Sequence, residues 1–231
     1  GSWKSFFDDE GDAQVSMAIF AYAQGNETDT SRDPYKYGDD TGLKQQKVTI
    51  KKVKNMSDST IRGIDISSYT ALKKAGVKYY DNEGKEASLL KVLSDNGVNY
   101  IRIRIWNDPY NEKGETYGGG SNDVKAGLEI AKEAAKYNIK VLLGFHYSDF
   151  WADPAVQLLP KAWEKDRNNQ EKMCSNVYEF TKETLEQFKD AGADIGMVQV
   201  GNEISQGMMG IMHRTKANVW QEKSLCLLTV I

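Results

Sequence analysis

Cysteine is scarce: Cys174 and Cys226 are the two in 231 residues, and no Cys-x-x-Cys or other ligand spacing joins them. Neither a disulfide framework nor a structural zinc site is indicated by such a pair. Apolar residues never run on for the ~18 positions that a membrane span requires, and no basic-then-apolar leader opens these residues. Basic excess is missing too. Thirty Lys and Arg stand against thirty-three Asp and Glu, a formal net charge of -3, so the charge that holds phosphates on a nucleic-acid-binding surface is absent and nucleic acid is not an expected partner. Gly118-Gly119-Gly120 lacks the Lys-Ser/Thr of a phosphate-binding loop and reads as a flexible loop. The cluster His146, Asp149 and Asp153 offers one imidazole and scattered carboxylates, a poor zinc set, so no metal and no cofactor is expected.

What is present is a hydrophobic fraction of 40%, enough for a real core, with five Trp and twelve Tyr whose flat rings suit sugar faces and protein interiors equally. The chain changes texture near residue 57. Before it, short apolar runs alternate with a polar stretch, and residues 48–53 alternate at period two like a half-exposed strand. Residues 1–57 are therefore expected to be part of a small β-rich accessory domain plus its linker. From Ile61 onward a strand-helix rhythm sets in. Strands are predicted over 61–66, 100–106 and 140–146 and in the run at 197. A helix over 85–96 is closed by Gly97, a second is capped by Asn122 or Asp123, and a third carries Met173, Val177, Phe180, Thr184 and Phe188. Such alternation indicates parallel βαβ units. The strand starts lie 39, 40 and 57 residues apart, which leaves long loops after the second and third strands.

The last predicted strand, Met197-Val198-Gln199-Val200-Gly201-Asn202-Glu203, organises the rest. Alternation sets Val198 and Val200 on one face and Met197 and Gln199 on the other, and the strand reads as buried. A carboxylate at the C-terminal end of a parallel strand, preceded by a neutral amide, is where a general acid/base is expected; Glu203 is also placed to cap the following turn. The other strands deliver polar groups to the same end: Asp65 from the first, and Arg102, Arg104 and Trp106 from one face of the second. Inward arginines need carboxylate partners, for which Asp65 and Glu203 are candidates. The third strand runs into His146, Tyr147, Asp149 and Trp151, denser in rings and hydrogen-bonding groups than loop packing requires.

These residues carry a resemblance. The segments Ile61-Arg62-Gly63-Ile64-Asp65-Ile66-Ser67-Ser68, Tyr100-Ile101-Arg102-Ile103-Arg104-Ile105-Trp106-Asn107-Asp108-Pro109, Phe145-His146-Tyr147-Ser148-Asp149-Phe150-Trp151-Ala152-Asp153-Pro154, Pro160-Lys161-Ala162-Trp163 and Val200-Gly201-Asn202-Glu203-Ile204 occur in the order found in the arabinogalactan endo-β-1,4-galactanases of glycoside hydrolase family 53, which the chain resembles from Ile61 to about Gly210. The resemblance implies an α/β fold, a TIM (β/α)8 barrel whose acid/base Glu ends strand four and whose nucleophilic Glu ends strand seven. It implies endo-hydrolysis of β-1,4-galactosidic linkages by a retaining double displacement. Glu203 would be the acid/base, Asn202 the ligand of the sugar 2-hydroxyl, Arg102 the arginine supporting the nucleophile, and Asp65, His146, Trp151 and Asp149 would line the substrate groove. It further implies a plant cell-wall galactan or type I arabinogalactan as substrate and an extracellular location.

Two departures qualify that expectation. Gly144 stands where the family usually has an Asp, removing an inward charge from strand three. After Gly210 the pattern is expected to stop, leaving an atypical tail from about 211. The 171 residues from Ile61 to Ile231 fall short of the ~250 of a complete barrel, so only about the first four βα units are expected, with the nucleophile elsewhere and the isolated chain inactive. A non-catalytic galactan-binding protein and a sibling mannanase or xylanase are the alternative readings.

Overall fold

The computed structural model describes residue 57, residues 59–212 and two short upstream strands, Asp12–Gln14 and Thr49–Lys51. Those strands pair antiparallel, with Ala13 opposite Ile50. The rest of the expected accessory region, and the expected tail beyond residue 212, lie outside the described residues.

Four parallel strands form one sheet in sequence order: β1 (Gly63–Asp65), β2 (Tyr100–Ile105), β3 (Lys140–Phe145) and β4 (Ile195–Val200). Helices α1 (Tyr69–Lys74) and α2 (Leu89–Asp95) lie between β1 and β2, α3 (Val124–Ala135) between β2 and β3, and α4 (Gln170–Asp190) between β3 and β4. A doubly wound sheet would reverse its strand order part-way; here the order never reverses, as in an arc of a barrel wall.

Period two sends Ile101, Ile103 and Ile105 of β2 and Val141, Leu143 and Phe145 of β3 into the layer between sheet and helices, each at most 1% exposed. Side chains of this size contribute about 1.5–3 kcal/mol each when fully buried. Gly127 lets α3 come close: a Cβ there would lie 2.9 Å from Phe188 of α4 and 3.0 Å from Ile105. The helix starts follow their caps. Ser88, Asp123 and Asn169 each accept a hydrogen bond from the backbone N–H three residues on.

The helix predicted over 85–96 begins only at Leu89. Asp81 accepts from the N–H groups of Glu83 and Lys85, which turns the chain so that Glu86–Ala87 pairs with Tyr79–Tyr80 as a hairpin before Ser88 opens the helix. The first strand is shorter than 61–66, because the Arg62 N–H is taken by the Asn99 side chain. Strand β4, expected to be buried, is half-buried: Val198 and Val200 pack onto the helix-side core, while its outer edge has no partner strand among the described residues.

Candidate active site

Register builds the site. Asp65 lies opposite Arg102, Arg104 opposite Gly144, and Gly144 opposite Gln199, all on the face turned away from the isoleucine layer. The Arg102 guanidinium serves three partners there: Nη1 donates to Asp65 (2.6 Å), Nη2 to the Asn202 side-chain carbonyl (2.9 Å) and Nε to the Gln199 side-chain carbonyl (3.2 Å). Asp65 also accepts from the Ser67 hydroxyl and N–H, and Arg104 stands 3.7 Å away. Burial alone would raise the Asp65 carboxyl, but the Ser67 bonds and then the two arginines outweigh it and hold it below the usual carboxylate range. Asp65 therefore answers the arginines of β2. Glu203 does not: no hydrogen bond or ion pair engages its carboxylate among the described residues, and it is exposed.

Gly144 explains how one arginine reaches so far. A Cβ there would lie 3.1–3.3 Å from the Arg102 guanidinium, which is laid across the bare backbone of β3 toward β4. With no carboxylate at 144, Asp65 alone faces both arginines, Arg102 at 2.6 Å and Arg104 at 3.7 Å, and neutral amides take the remaining Arg102 donors.

Asn202 and Glu203 occupy the turn directly after β4. The Asn202 amide is fixed: its oxygen accepts from Arg102 and Gln199, and its nitrogen donates to the Ala152 carbonyl at 2.7 Å, which leaves one N–H uncommitted among the described residues. Glu203 sits in the left-handed region, φ 51° and ψ 44°, a conformation that costs a non-glycine residue about 1–3 kcal/mol unless its surroundings enforce it.

The loop after β3 supplies imidazole and rings. His146 is 1% exposed, and its Nδ1 accepts from the Ala152 N–H, which puts the proton on Nε2; that atom is buried without a protein partner among the described residues. Burial, then the charges of Arg102 and Arg104, depress its pKa to about 3, so His146 is a neutral donor at neutral pH. In the unfolded chain it protonates near ~6.5, so stability should fall by about 1.4 kcal/mol per unit as pH drops below that value and level off only near the folded pKa. Urea unfolding from pH 7 to 4 should show His146→Gln losing this slope; an unchanged slope would show that the imidazole is charged in the folded state.

Trp151 is 41% exposed, lies over the Arg104 guanidinium at 4.2 Å, and meets Trp106 edge-on at 5.4 Å. Gly119, read from sequence as part of a flexible loop, is packed onto this pair: at φ 63°, a Cβ would lie 2.9 Å from Trp106 and 3.2 Å from the Trp151 nitrogen. Asp149, expected in the substrate groove, ties loops together: one oxygen accepts from the Asp108 N–H and the other from the Lys161 N–H, and the residue is 8% exposed. Both oxygens are thereby spent on backbone. Gln157 and Gln199 were not singled out from sequence. Gln199 shares the inward face by simple alternation and could have been; Gln157 lies in irregular loop and carries no periodic signal. Among the described residues no group of three or more His, Cys, Asp or Glu could hold a metal ion, and no helix is long and apolar enough to cross a membrane.

Four parallel βα units, with Asp65 and Arg102 on their strands and His146, Trp151, Asn202 and Glu203 just beyond the strand ends, have the layout of part of a (β/α)8 barrel with its site on the C-terminal face. The family model of glycosyl hydrolase family 53 matches residues 61–228, and the chain belongs to that family. The match runs past Gly210, so the stretch expected to depart from the family pattern falls largely within it. An endo-beta-1,4-galactanase of Bacillus subtilis (strain 168) is 47% identical over 174 residues, 75% of this chain and 40% of that protein. An arabinogalactan endo-beta-1,4-galactanase of Humicola insolens is 35% identical over 159 residues, 69% of this chain and 44% of that one. Among solved structures, the family 53 catalytic domain of Ignisphaera aggregans superposes with a TM-score of 0.69 at 38% identity, covering 77% of this chain and 48% of that domain. The chain thus spans less than half of the length of these relatives, and its sheet is the corresponding part of a (β/α)8 barrel.

Proposed function

We propose that this segment supplies the acid/base half of a retaining endo-β-1,4-galactanase. The observation that carries the reading is the turn after β4, where an exposed carboxylate with no partner among the described residues follows an asparagine whose amide is fixed by Arg102, Gln199 and Ala152. In double displacement, Glu203 protonates the glycosidic oxygen as the bond to the anomeric carbon breaks, then takes a proton from the water that releases the glycosyl-enzyme. The nucleophile belongs to a carboxylate outside the four described strands, about 5–5.5 Å from Glu203 in a retaining geometry. Asn202 offers its remaining N–H to a sugar hydroxyl, and Trp151 presents a ring face to the pyranose. The substrate is plant cell-wall galactan or type I arabinogalactan, which is too large to enter a cell, so the enzyme acts outside it as part of pectin breakdown.

The test is release of reducing ends from β-1,4-galactan, β-mannan and β-1,4-xylan by the enzyme that contains this segment. Release from galactan alone is expected. Release from mannan or xylan but not galactan would replace the substrate, and galactan binding without any product would make the protein a non-catalytic binder.

A further inference from the structure

Glu203 is held in an unfavourable backbone conformation, yet its own side chain contributes nothing to holding it there: no side-chain cap closes the short 3-10 turn Ile204–Gln206 that follows. The restraint comes from the loop after β3. Gln157 is 4% exposed, and its side-chain nitrogen donates to the main-chain carbonyl of Asn202 (2.8 Å), with the carbonyl of Asp153 at 3.0 Å and that of Glu203 at 3.5 Å. All three neighbours are carbonyls and can only accept, which fixes the amide with its nitrogen toward the turn. The main chain of Gln157 makes a second tie, its carbonyl accepting from the Gly210 N–H at the far end of the same loop. A third runs the other way, from the Asn202 side chain to the Ala152 carbonyl. Asp153 braces the clip from below, its carboxylate accepting from the N–H groups of Ala155 and Val156. Among the described residues no other side chain donates to both the Asn202 and the Glu203 main-chain carbonyls, which belong to the two peptides flanking the Glu203 Cα.

We infer that Gln157 is a positioning residue that sets the Glu203 carboxyl by clamping the peptide between Asn202 and Glu203. This rests on the reading of Glu203 as the acid. Removing the clamp lets Glu203 leave the left-handed region for an ordinary conformation, which swings its Cα–Cβ bond and moves the carboxyl off the glycosidic oxygen. A displacement of about 1 Å at a reacting group can cost on the order of 10²-fold in rate.

Gln157→Met keeps the side-chain length and removes the donor. Its kcat/KM is measured on galactan, whose leaving group needs protonation, and on an aryl β-galactoside with an acidic phenol, whose leaving group does not. The expected result is a loss of about 10–100-fold on galactan with the aryl substrate within about threefold, since only the acid step is disturbed. Equal losses on both substrates would make Gln157 a merely structural residue and overturn the inference. Glu203→Ala is run beside it. If that variant also loses both substrates equally, the acid assignment itself fails; if it shows the leaving-group dependence and Gln157→Met does not, only the inference fails. A second readout needs no turnover: the intraresidue cross-relaxation between the amide and α protons of Glu203, measured by NMR, is strong at positive φ, where the two protons are nearly eclipsed, and weak at negative φ. Gln157→Met should weaken it from the strong wild-type value. An unchanged intensity would overturn the inference whatever the kinetics show.

Discussion

Glu203→Gln is expected to lower kcat/KM on β-1,4-galactan by about 10²–10⁴-fold, the usual worth of a general acid, while oligosaccharide binding stays within a few fold. The replacement is nearly isosteric and cannot deliver a proton. It also leaves the scaffold of the turn alone, because every hydrogen bond that fixes the turn uses other atoms: the side chain of Asn202, and the main-chain carbonyls that Gln157 holds. A carboxylate that merely capped a helix would behave differently, since its loss would destabilise the fold and spare the chemistry. The left-handed backbone at Glu203 argues against that role, with no side-chain cap bond made to the turn that follows. Steady-state kinetics on galactan, with binding measured by calorimetry on a galacto-oligosaccharide, separate the two. A variant with near-full turnover would show that another group protonates the leaving oxygen.

The sequence made strand β2 legible because its two faces are chemically distinct. Isoleucines at 101, 103 and 105 alternate with arginines at 102 and 104, and such a pattern admits one register and one orientation. It also made Asp65 legible as an arginine partner, since a buried guanidinium must find a carboxylate and few were near strand ends. The second candidate, Glu203, could not be ruled out that way: whether its side chain turns back into the sheet or out toward solvent depends on one backbone torsion, which a linear pattern does not encode. The loop ties of Asp149 were illegible for a related reason. In a run of rings and acids, a carboxylate that tightens a loop by accepting from the N–H groups of Asp108 and Lys161 looks the same as one that awaits a ligand. Gly119 and Gln157 were missed because both act through close contacts between loops distant in sequence, Gly119 against Trp106 and Trp151, Gln157 against Asn202 and Glu203.

Arg102→Met should be the most damaging substitution among the inward-facing residues of the four strands. It removes three hydrogen bonds at once, leaving Asp65 to Ser67 and the more distant Arg104, and leaving the Asn202 side-chain carbonyl to Gln199 alone. Activity on galactan is expected to fall by about 10²-fold, since Asn202 loses the anchor that aims its free N–H. Stability should fall by about 1–3 kcal/mol, toward the lower end because the Arg102 and Asp65 side chains are 26% and 34% exposed and water screens part of their attraction. The pH dependence gives this loss a signature. The folded Asp65 carboxyl is held below its ordinary value, so the stability it contributes is fully present above the unfolded pKa of about 3.9 and disappears as pH falls through the folded value. The gap between wild type and Arg102→Met in urea unfolding should therefore narrow below about pH 4 and stay constant above it. Arg102→Lys separates the two losses: a single ammonium can satisfy Asp65 but cannot also fork to Asn202 and Gln199, so most of the stability returns while at least a tenfold deficit in kcat/KM persists. If the lysine variant recovered full activity, charge alone would suffice at this position, and the three-way fork across Gly144 would have no part in setting the site.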